Sequence, residues 1–221
     1  GGVFHSGLLY QLNIKYIIHN KMGVISDFNI LKNSLNNNSN EFQMSFFNNN
    51  NAVDRDVYIY KNKNFLDRIF VTKNIEFFDN ESVILDKIIS QDFNPIELSF
   101  INKKDLRLDQ IKAIKQIRYD NDTKIELIDW SSDKIKFTYD SNSPQIIILS
   151  EIFHPGWKVL NSEIEVIRIN GLFRAIIMPA GKKDIIMQYK PIDLIVGKWI
   201  SIFSYMVIIV LAFVSYRRKN V

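Results

Sequence analysis

The motif His154-Pro155-Gly156-Trp157 brings together a histidine, a turn and an aromatic platform. A Pro-Gly pair favours a tight turn, and an indole ring offers a flat face that can stack on a sugar ring or a lipid headgroup. We therefore take His154 and Trp157 as candidate contacts for a glycan or an envelope polymer. Packing of the turn within its own domain is the plainer explanation, and we favour it.

Arg168 and Arg174 flank an Asn-Gly turn further along the chain. Two guanidinium groups placed in this way can hold a phosphate or a polyanionic polymer through paired hydrogen bonds. They are therefore candidate polymer contacts as well. Ion pairing across the strands with Glu151 or Glu165 is the plainer explanation, and we prefer it.

Two acidic clusters are weaker candidates for chemistry. Residues 54–56 (Asp-Arg-Asp) could offer an acidic base for glycosyl transfer, but nothing there predicts burial or a raised pKa, so we interpret them as a solvated strand entry. Residues 120–122 (Asp-Asn-Asp) lack the glycine and the further ligands of a calcium loop, so a turn is the better interpretation. We assign no catalytic residue, no metal site and no cofactor.

The amino-acid composition excludes some kinds of site and removes support for one class of function. The chain has no cysteine, which excludes disulfides, thiolate metal sites and cysteine nucleophiles. The formal net charge is +4, and the last basic cluster, Arg217, Arg218 and Lys219, contributes three of these charges. A chain that is otherwise nearly neutral gives no support for nucleic-acid binding.

A membrane segment precedes that basic cluster. Residues 199–216 form an uncharged run of eighteen residues, which extends back to residue 194 with Lys198 as its one charge. About 20 such residues cross the ~30 Å hydrocarbon core, so the bilayer is the first expected partner.

The flanking residues predict how this segment is anchored and oriented. Trp199 and Tyr216 suit the two headgroup layers, and Lys198 can extend outward from its end. The cluster Arg217, Arg218 and Lys219 predicts a cytoplasmic C-terminus. The larger N-terminal part is then extracytoplasmic, on the outer side of a bacterial cytoplasmic membrane.

The elements that must position the candidate residues are mostly strands. Short segments rich in β-branched and aromatic residues alternate with turn signals, as in an antiparallel sandwich. One short helix is predicted from residue 80 or 81 onward, and residues 102–122 are left open between a short amphipathic helix and an irregular crossover. The predicted strands are residues 12–18, 57–60, 68–72, 75–78, 96–100, 125–130, 135–139, 145–153, 158–160, 164–169, 174–178 and 183–189, with a further possible strand at 42–47 inside an asparagine-rich stretch.

The predicted fold is therefore mainly β: an extracytoplasmic antiparallel β-sandwich with one short helix, followed by a single C-terminal transmembrane α-helix. The continuous apolar run of residues 146–149 predicts a central strand that is covered on both faces. We expect four regions: 1–122 with N-terminal strands, asparagine-rich loop and short helix; 123–191 with the C-terminal portion of the sandwich; 192–216 as the transmembrane helix; and 217–221 as a cytoplasmic basic tail. The first residues show no secretory signal, so we expect the chain to start inside a longer protein.

An ordered series of short motifs runs through the chain. Those of the C-terminal half are Ser150-Glu151, Pro155-Gly156-Trp157, Arg168-Ile169-Asn170, Arg174, Pro179-Ala180-Gly181 and the apolar segment after Pro191. Those of the N-terminal half lie at residues 12–16 and 60–71. This series resembles the C-terminal region of the YfhO family of bacterial membrane proteins. Where the family has an Asp-Gly turn after the tryptophan, this chain has Asn161-Ser162-Glu163.

The resemblance implies a multi-span parent protein of the GT-C glycosyltransferase type. Such proteins take sugars from polyprenyl-phosphate carriers outside the membrane and transfer them to cell-envelope polymers. Their acidic catalytic loop lies in N-terminal spans that precede this region, so polyprenyl-phosphate sugar and envelope polymer are expected partners of the parent. The alternative is a non-catalytic, membrane-anchored envelope domain that binds a glycan or a partner protein.

Overall fold

A computed structural model describes residues 16–20, 42–47, 57–62, 66–90 and 93–219. Antiparallel strands dominate these residues, and one long apolar helix ends them, which confirms the predicted fold class. The strands are β1 (Tyr16–Asn20), β2 (Phe42–Phe47), β3 (Val57–Asn62), β4 (Ile69–Val71), β5 (Asn74–Phe78), β6 (Leu98–Asn102), β7 (Lys124–Trp130), β8 (Lys134–Asp140), β9 (Gln145–Ile152), β10 (Trp157–Val159), β11 (Val166–Ile169), β12 (Phe173–Met178) and β13 (Lys183–Tyr189). The helices are α1 (Glu81–Ile89), α2 (Leu108–Gln116) and α3 (Ile192–Lys219), with a 3-10 turn at Lys103–Asp105.

Two four-stranded antiparallel sheets form the sandwich. One has the strand order β10-β13-β8-β7, and the other has the order β11-β12-β9-β4. Strand β8 shows why they pack face to face: Ile135, Phe137 and Tyr139 are buried, whereas the residues between them are more exposed. This alternation turns one face of the strand toward the opposite sheet, whose β9 and β12 contribute Ile147 and Ile176 to the same core.

Strand β9 is buried on both faces, as the sequence predicted. Ile147 and Leu149 lie in the core between the two sheets, whereas Ile146 and Ile148 lie in a second core on the outer face of their sheet. All four side chains are at most 1% exposed. A strand with two dry faces needs no polar alternation, which explains the continuous apolar run.

The outer face of this sheet is covered by β5, β6 and α2, and α1 packs on the other side of β5 and β6. Strands β5 and β6 pair in parallel, with α1 as the connection between them, so the antiparallel pattern expected from sequence does not hold for this pair. Ile101 of β6 and Ile114 of α2 pack against the outer side chains of β9. Parallel pairing requires a crossover of this kind, and the short helix supplies it.

The two short helices of the domain, α1 and α2, follow from local sequence features. The side chain of Asn80 accepts a hydrogen bond from the backbone N–H of Ser82 at 3.0 Å, so Asn80 is the N-cap of α1 and the helix begins at residue 81, one of the two starts predicted. In the segment left open by the sequence, α2 is a regular helix. Its Gln110 and Ile114 are buried one turn apart, whereas Leu108 is 77% exposed, so the buried face of this helix is only partly apolar.

The strands before residue 66 form a separate three-stranded sheet in the order β1-β3-β2. Its members include the possible strand at 42–47 and the last part of the predicted strand 12–18. The remainder of the asparagine-rich stretch and residues 54–56 lie outside the described residues. Strand β4, from the predicted region 1–122, pairs with β9, so the sandwich includes strands from both sides of that boundary.

Truncation of β9 should destabilise the domain strongly. We expect Ile147→Ala and Ile148→Ala each to lower the free energy of unfolding by ~2–5 kcal/mol, because each removes buried methyl groups from a different core. Ile128→Ala is the matched control: Ile128 is 49% exposed, so its truncation should change the value by less than ~0.5 kcal/mol. Denaturant titration of the full chain in detergent, followed by tryptophan fluorescence, measures the difference. Equal losses for the buried and exposed positions would contradict the two-core arrangement.

Candidate functional site

Two arginines, two tryptophans and one glutamate meet at the end of the sandwich where β9 ends and β10 begins. We call this group the Glu151 cluster. It consists of Arg68 before β4, Trp130 at the end of β7, Glu151 near the end of β9, Trp157 at the start of β10, and Arg174 in β12. Both sheets therefore contribute to one polar site.

Glu151 is the acceptor at the centre of the cluster. Its Oε2 accepts a hydrogen bond from the guanidinium of Arg174. Its Oε1 accepts from the indole Nε1 of Trp130 at 2.7 Å and from Nη1 of Arg68 at 3.3 Å. Both carboxylate oxygens are thus occupied by donors, which is the arrangement of a structural carboxylate.

Arg174 is a buried charge. Its side chain is 1% exposed, and its Cζ lies 3.8 Å from the centre of the Trp157 ring, a cation–π contact across the two sheets. Its Nε and Nη1 have no hydrogen-bond partner among the described residues. Burial lowers the pKa of Arg174 to about 10, so the group is still charged at neutral pH.

The cluster continues to a half-exposed pair at the surface. Cζ of Arg68 lies 3.9 Å from the centre of the Trp130 ring, so one tryptophan stacks on each arginine. The Arg68 side chain is 44% exposed, in contrast to the enclosed Arg174. The outer arginine is therefore accessible to solvent, and the inner one is not.

The His-Pro-Gly-Trp motif forms the predicted turn and packs on its own domain. Nδ1 of His154 accepts a hydrogen bond from the backbone N–H of Gly156 at 3.0 Å. The imidazole meets the ring of Tyr189 edge-on, with 5.2 Å between ring centres, and Trp157 lies 5.4 Å from the same ring. Packing is thus the arrangement that the structure shows at this turn. Contact of His154 or Trp157 with a glycan stays a prediction.

Gly156 sits where the last strand meets the apolar helix. Its carbonyl accepts a hydrogen bond from the backbone N–H of Lys190 at 2.7 Å. A Cβ at this position would lie 3.0 Å from Pro191 and 3.0 Å from the Tyr189 ring, and Pro191 itself is buried. Only a residue without a side chain allows this close approach.

Arg168 forms a different network from the one expected. Its guanidinium bonds both carboxylate oxygens of Asp105, at 2.9 and 3.1 Å, and Glu81 at 3.0 Å. The predicted pairing of Arg168 with Glu151 or Glu165 is therefore wrong, whereas the pairing of Arg174 with Glu151 is confirmed. Edge strand β11 lies beside β6 and the 3-10 turn that follows it, which brings in carboxylates that are distant in sequence.

Glu165 is paired elsewhere, with Arg107 and with Nε2 of Gln110 at 2.9 Å. The Asp105 carboxylate raises the pKa of Arg168 above its ordinary value. Both arginine networks thus join β11 to the elements that cover the sheet. Contact of Arg168 or Arg174 with a polymer stays a prediction.

The residues around Asp120 form a turn, as interpreted from sequence. Its carboxylate accepts backbone hydrogen bonds from Asp122 at 3.0 Å and Asn142 at 2.8 Å, and a further one from the Ser141 hydroxyl. These bonds, with that from Asp122 the largest, lower the pKa of Asp120. Among the described residues no group of three or more histidine or acidic side chains could hold a metal ion.

A cleft of about 320 Å³ lies at the opposite end of the sheet, between α2 and the start of β5. Lys73, Lys115 and Arg118 lie along it, and Lys73 bonds Glu97 at 2.6 Å. The sequence indicated no site here because Lys73 is far in the chain from Lys115 and Arg118. The other lining residues are Thr72, Asn74, Ile75, Phe77, Ile114, Ile117 and Ile146.

Helix α3 is long and apolar enough to cross a membrane, and it is the one such helix among the described residues. Its apolar part, Ile192–Phe213, has 22 residues with a mean hydropathy of 2.2, and none of it is buried against the rest of the chain. Trp199 and Tyr216 are exposed on it, as is Lys198. Its backbone continues as helix through Arg217 and Arg218 to Lys219.

Comparisons of this chain with known protein families, with curated proteins and with solved structures find no match. The resemblance to the YfhO family therefore stays an expectation from the motifs. Sequence reasoning missed Arg68 and Trp130 as members of the Glu151 cluster, and Tyr189 as the ring that packs against His154 and Trp157. The one available signal was that an arginine, a tryptophan and a tyrosine each stood at the edge of a predicted strand.

Removal of the Glu151 charge should be costly. We expect Glu151→Gln to lower the free energy of unfolding by ~3–5 kcal/mol, because it leaves the buried guanidinium of Arg174 without a counter-charge. The double variant Glu151→Leu with Arg174→Met should recover much of this loss, since no buried charge is left. Arg168→Met is the control and should cost less than Glu151→Gln, because its partners are more exposed. Denaturant titration measures all three, and a Glu151→Gln variant as stable as the parent chain would contradict the buried pair.

Proposed function

We propose that this chain is a membrane-anchored domain which a larger bacterial envelope protein holds at a fixed position on the outer surface of its membrane. One observation carries the proposal: strand β13 leads into α3 through only Lys190 and Pro191, and both residues are held by the His-Pro-Gly-Trp turn. A flexible tether would need a longer, solvated linker.

The junction is stiff for three physical reasons. The hydrogen bond between Lys190 and Gly156 continues the pairing of β10 with β13 beyond the last strand residue. Proline fixes its own φ angle, and it is favoured at the start of a helix. The buried contact of Pro191 with Gly156 then sets the position of the first helical turn. Motion of the helix is in this way coupled to motion of the domain.

The orientation follows from the charges at the other end of α3. The positive cluster after the apolar segment favours a cytoplasmic C-terminus, so the domain is extracytoplasmic. Polyprenyl-phosphate sugars present their sugar at that surface. In a glycosyltransferase parent, the domain would orient the acceptor polymer beside the catalytic spans, which is the role that the family resemblance favours.

Membrane insertion and orientation can be tested directly, because the chain has no native cysteine. We place single cysteines at Lys182, exposed in the domain, and at Asn220, after the helix. A membrane-impermeant maleimide should label Lys182→Cys in intact bacteria and should label Asn220→Cys only after permeabilisation. The reverse pattern would contradict the orientation, and recovery of the chain in the soluble fraction would contradict membrane anchoring.

The role in sugar transfer is tested in the parent protein, with labelled polyprenyl-phosphate sugar in membranes. Gly156→Val should reduce transfer by on the order of 10- to 100-fold, because the added side chain displaces the junction and misplaces the acceptor. Gly197→Val is the matched control: a Cβ there meets nothing within 4 Å, so transfer should be unchanged. Full transfer by the Gly156 variant and by a correctly inserted deletion of residues 1–190 would contradict the role and favour a separate envelope-binding module.

A further inference from the structure

Three large apolar side chains are exposed at one end of the sandwich. Trp130 is 46% exposed, Ile152 is 65% exposed and Leu172 is 41% exposed. We call these three residues the basal surface. Single exposed apolar residues are common, but a group at one end of a domain indicates that something covers it.

Strand pairing brings these residues together. Ile152 ends β9, and it pairs with Phe173, the residue after Leu172. The backbone N–H of Phe153 also bonds the carbonyl of Leu172 at 2.8 Å. Trp130 ends β7, and its indole bonds Glu151, the neighbour of Ile152, at 2.7 Å. The three residues therefore lie at the same end of the sandwich.

The same end of the sandwich carries the start of α3. Strand β13 ends at Tyr189, which pairs with Trp157, five residues after Ile152. The backbone N–H of Tyr189 bonds the carbonyl of Asp133, in the turn that follows Trp130. The ends of β7, β9 and β13 and the β11–β12 turn thus surround the point where the apolar helix leaves the domain.

Helix geometry brings this end within reach of lipid. From Ile192 to Trp199 the helix rises ~10 Å at 1.5 Å per residue. The headgroup layer on each side of a bilayer is ~5–8 Å thick, the difference between the ~30 Å core and the ~40–45 Å total. With Trp199 at the hydrocarbon boundary, as its amphipathic ring favours, the start of α3 lies ~10 Å above that boundary, at the outer edge of the headgroup layer, where side chains at the base of the domain can reach the headgroups.

We propose that the basal surface binds the lipid bilayer itself, with Trp130, Ile152 and Leu172 entering the headgroup layer. The inference rests on the membrane anchoring proposed above and adds a second point of attachment. The Trp130 N–H is already paired with Glu151, so its ring can enter this layer without an unpaired donor, and the three apolar side chains remove area from water on insertion.

Positively charged side chains beside the basal surface also favour the lipid bilayer as its partner. Arg68 stacks on Trp130 with a half-exposed guanidinium, and Lys134 and Lys190 are exposed on the adjoining turn and strand end. Such long side chains can reach lipid phosphates while their stems lie along apolar surface. Two attachments, the helix and the basal surface, would prevent the domain from tilting on its short junction.

The contact of the basal surface with lipid is tested by measuring how deeply labelled residues lie in the bilayer, with the full chain in phosphatidylcholine–phosphatidylglycerol vesicles. We attach an environment-sensitive fluorophore to single cysteines at Ile152 and Leu172. Leu108→Cys is the matched control, since Leu108 is 77% exposed and lies in α2, away from this end. Ile208→Cys, in the middle of α3, reports on the helix alone.

The expected result is loss of fluorescence at Ile152 and Leu172 to a quencher attached to the lipid headgroup, with protection from a water-soluble quencher. The Leu108 label should lose fluorescence to the water-soluble quencher and should not be affected by the lipid-attached one. A lipid-quenched Ile208 label with water-quenched basal labels would overturn the basal contact and leave the anchoring intact. A water-quenched Ile208 label would overturn both, and basal labels protected from both quenchers would assign the surface to a protein contact instead of lipid.

Discussion

Burial of strand β9 on both faces is the constraint on which the rest of the structure depends. Its alternate side chains complete the core between the sheets and the core beneath β6 and α2, so neither can form without it. The end of β9 supplies Glu151, the acceptor of the buried Arg174, and the chain that follows β9 supplies the turn that holds Pro191. A single segment thereby links the hydrophobic cores, the polar cluster and the start of the apolar helix.

Burial of the Glu151 cluster costs free energy of folding, because it removes charged groups from water. The geometry of the cluster indicates which structural feature offsets this cost. The guanidinium of Arg174 joins Glu151 of one sheet to the Trp157 ring of the other, at the end from which α3 leaves. An apolar pair could fill the space without fixing the two sheets in one arrangement. We infer that the pair sets the position of β10, and with it the turn that holds the helix.

Much of this architecture could be predicted from the sequence, and the limits have physical causes. The alternation of apolar and polar residues, together with the turn residues, predicted the strands, because these signals are local. For the same reason the apolar run Ile146–Leu149 predicted the strand that is buried on both faces. The pairing of Arg168 could not be predicted, since Asp105 and Glu81 reach it only after β6 has docked beside β11. The same holds for Arg68, which the pairing of β4 with β9 brings to Glu151, and for Trp130, which reaches Glu151 through packing of the two sheets.

The central claim is that the sandwich and the apolar helix move as one body across the two-residue junction. The most direct measurement is the spin–spin distance distribution between labels at Lys183→Cys, exposed in β13, and Tyr205→Cys, exposed on α3, for the full chain in lipid nanodiscs. The account predicts a single narrow distribution that broadens when Gly156 is replaced by valine. A broad distribution in the unmodified junction, unchanged by the substitution, would contradict it.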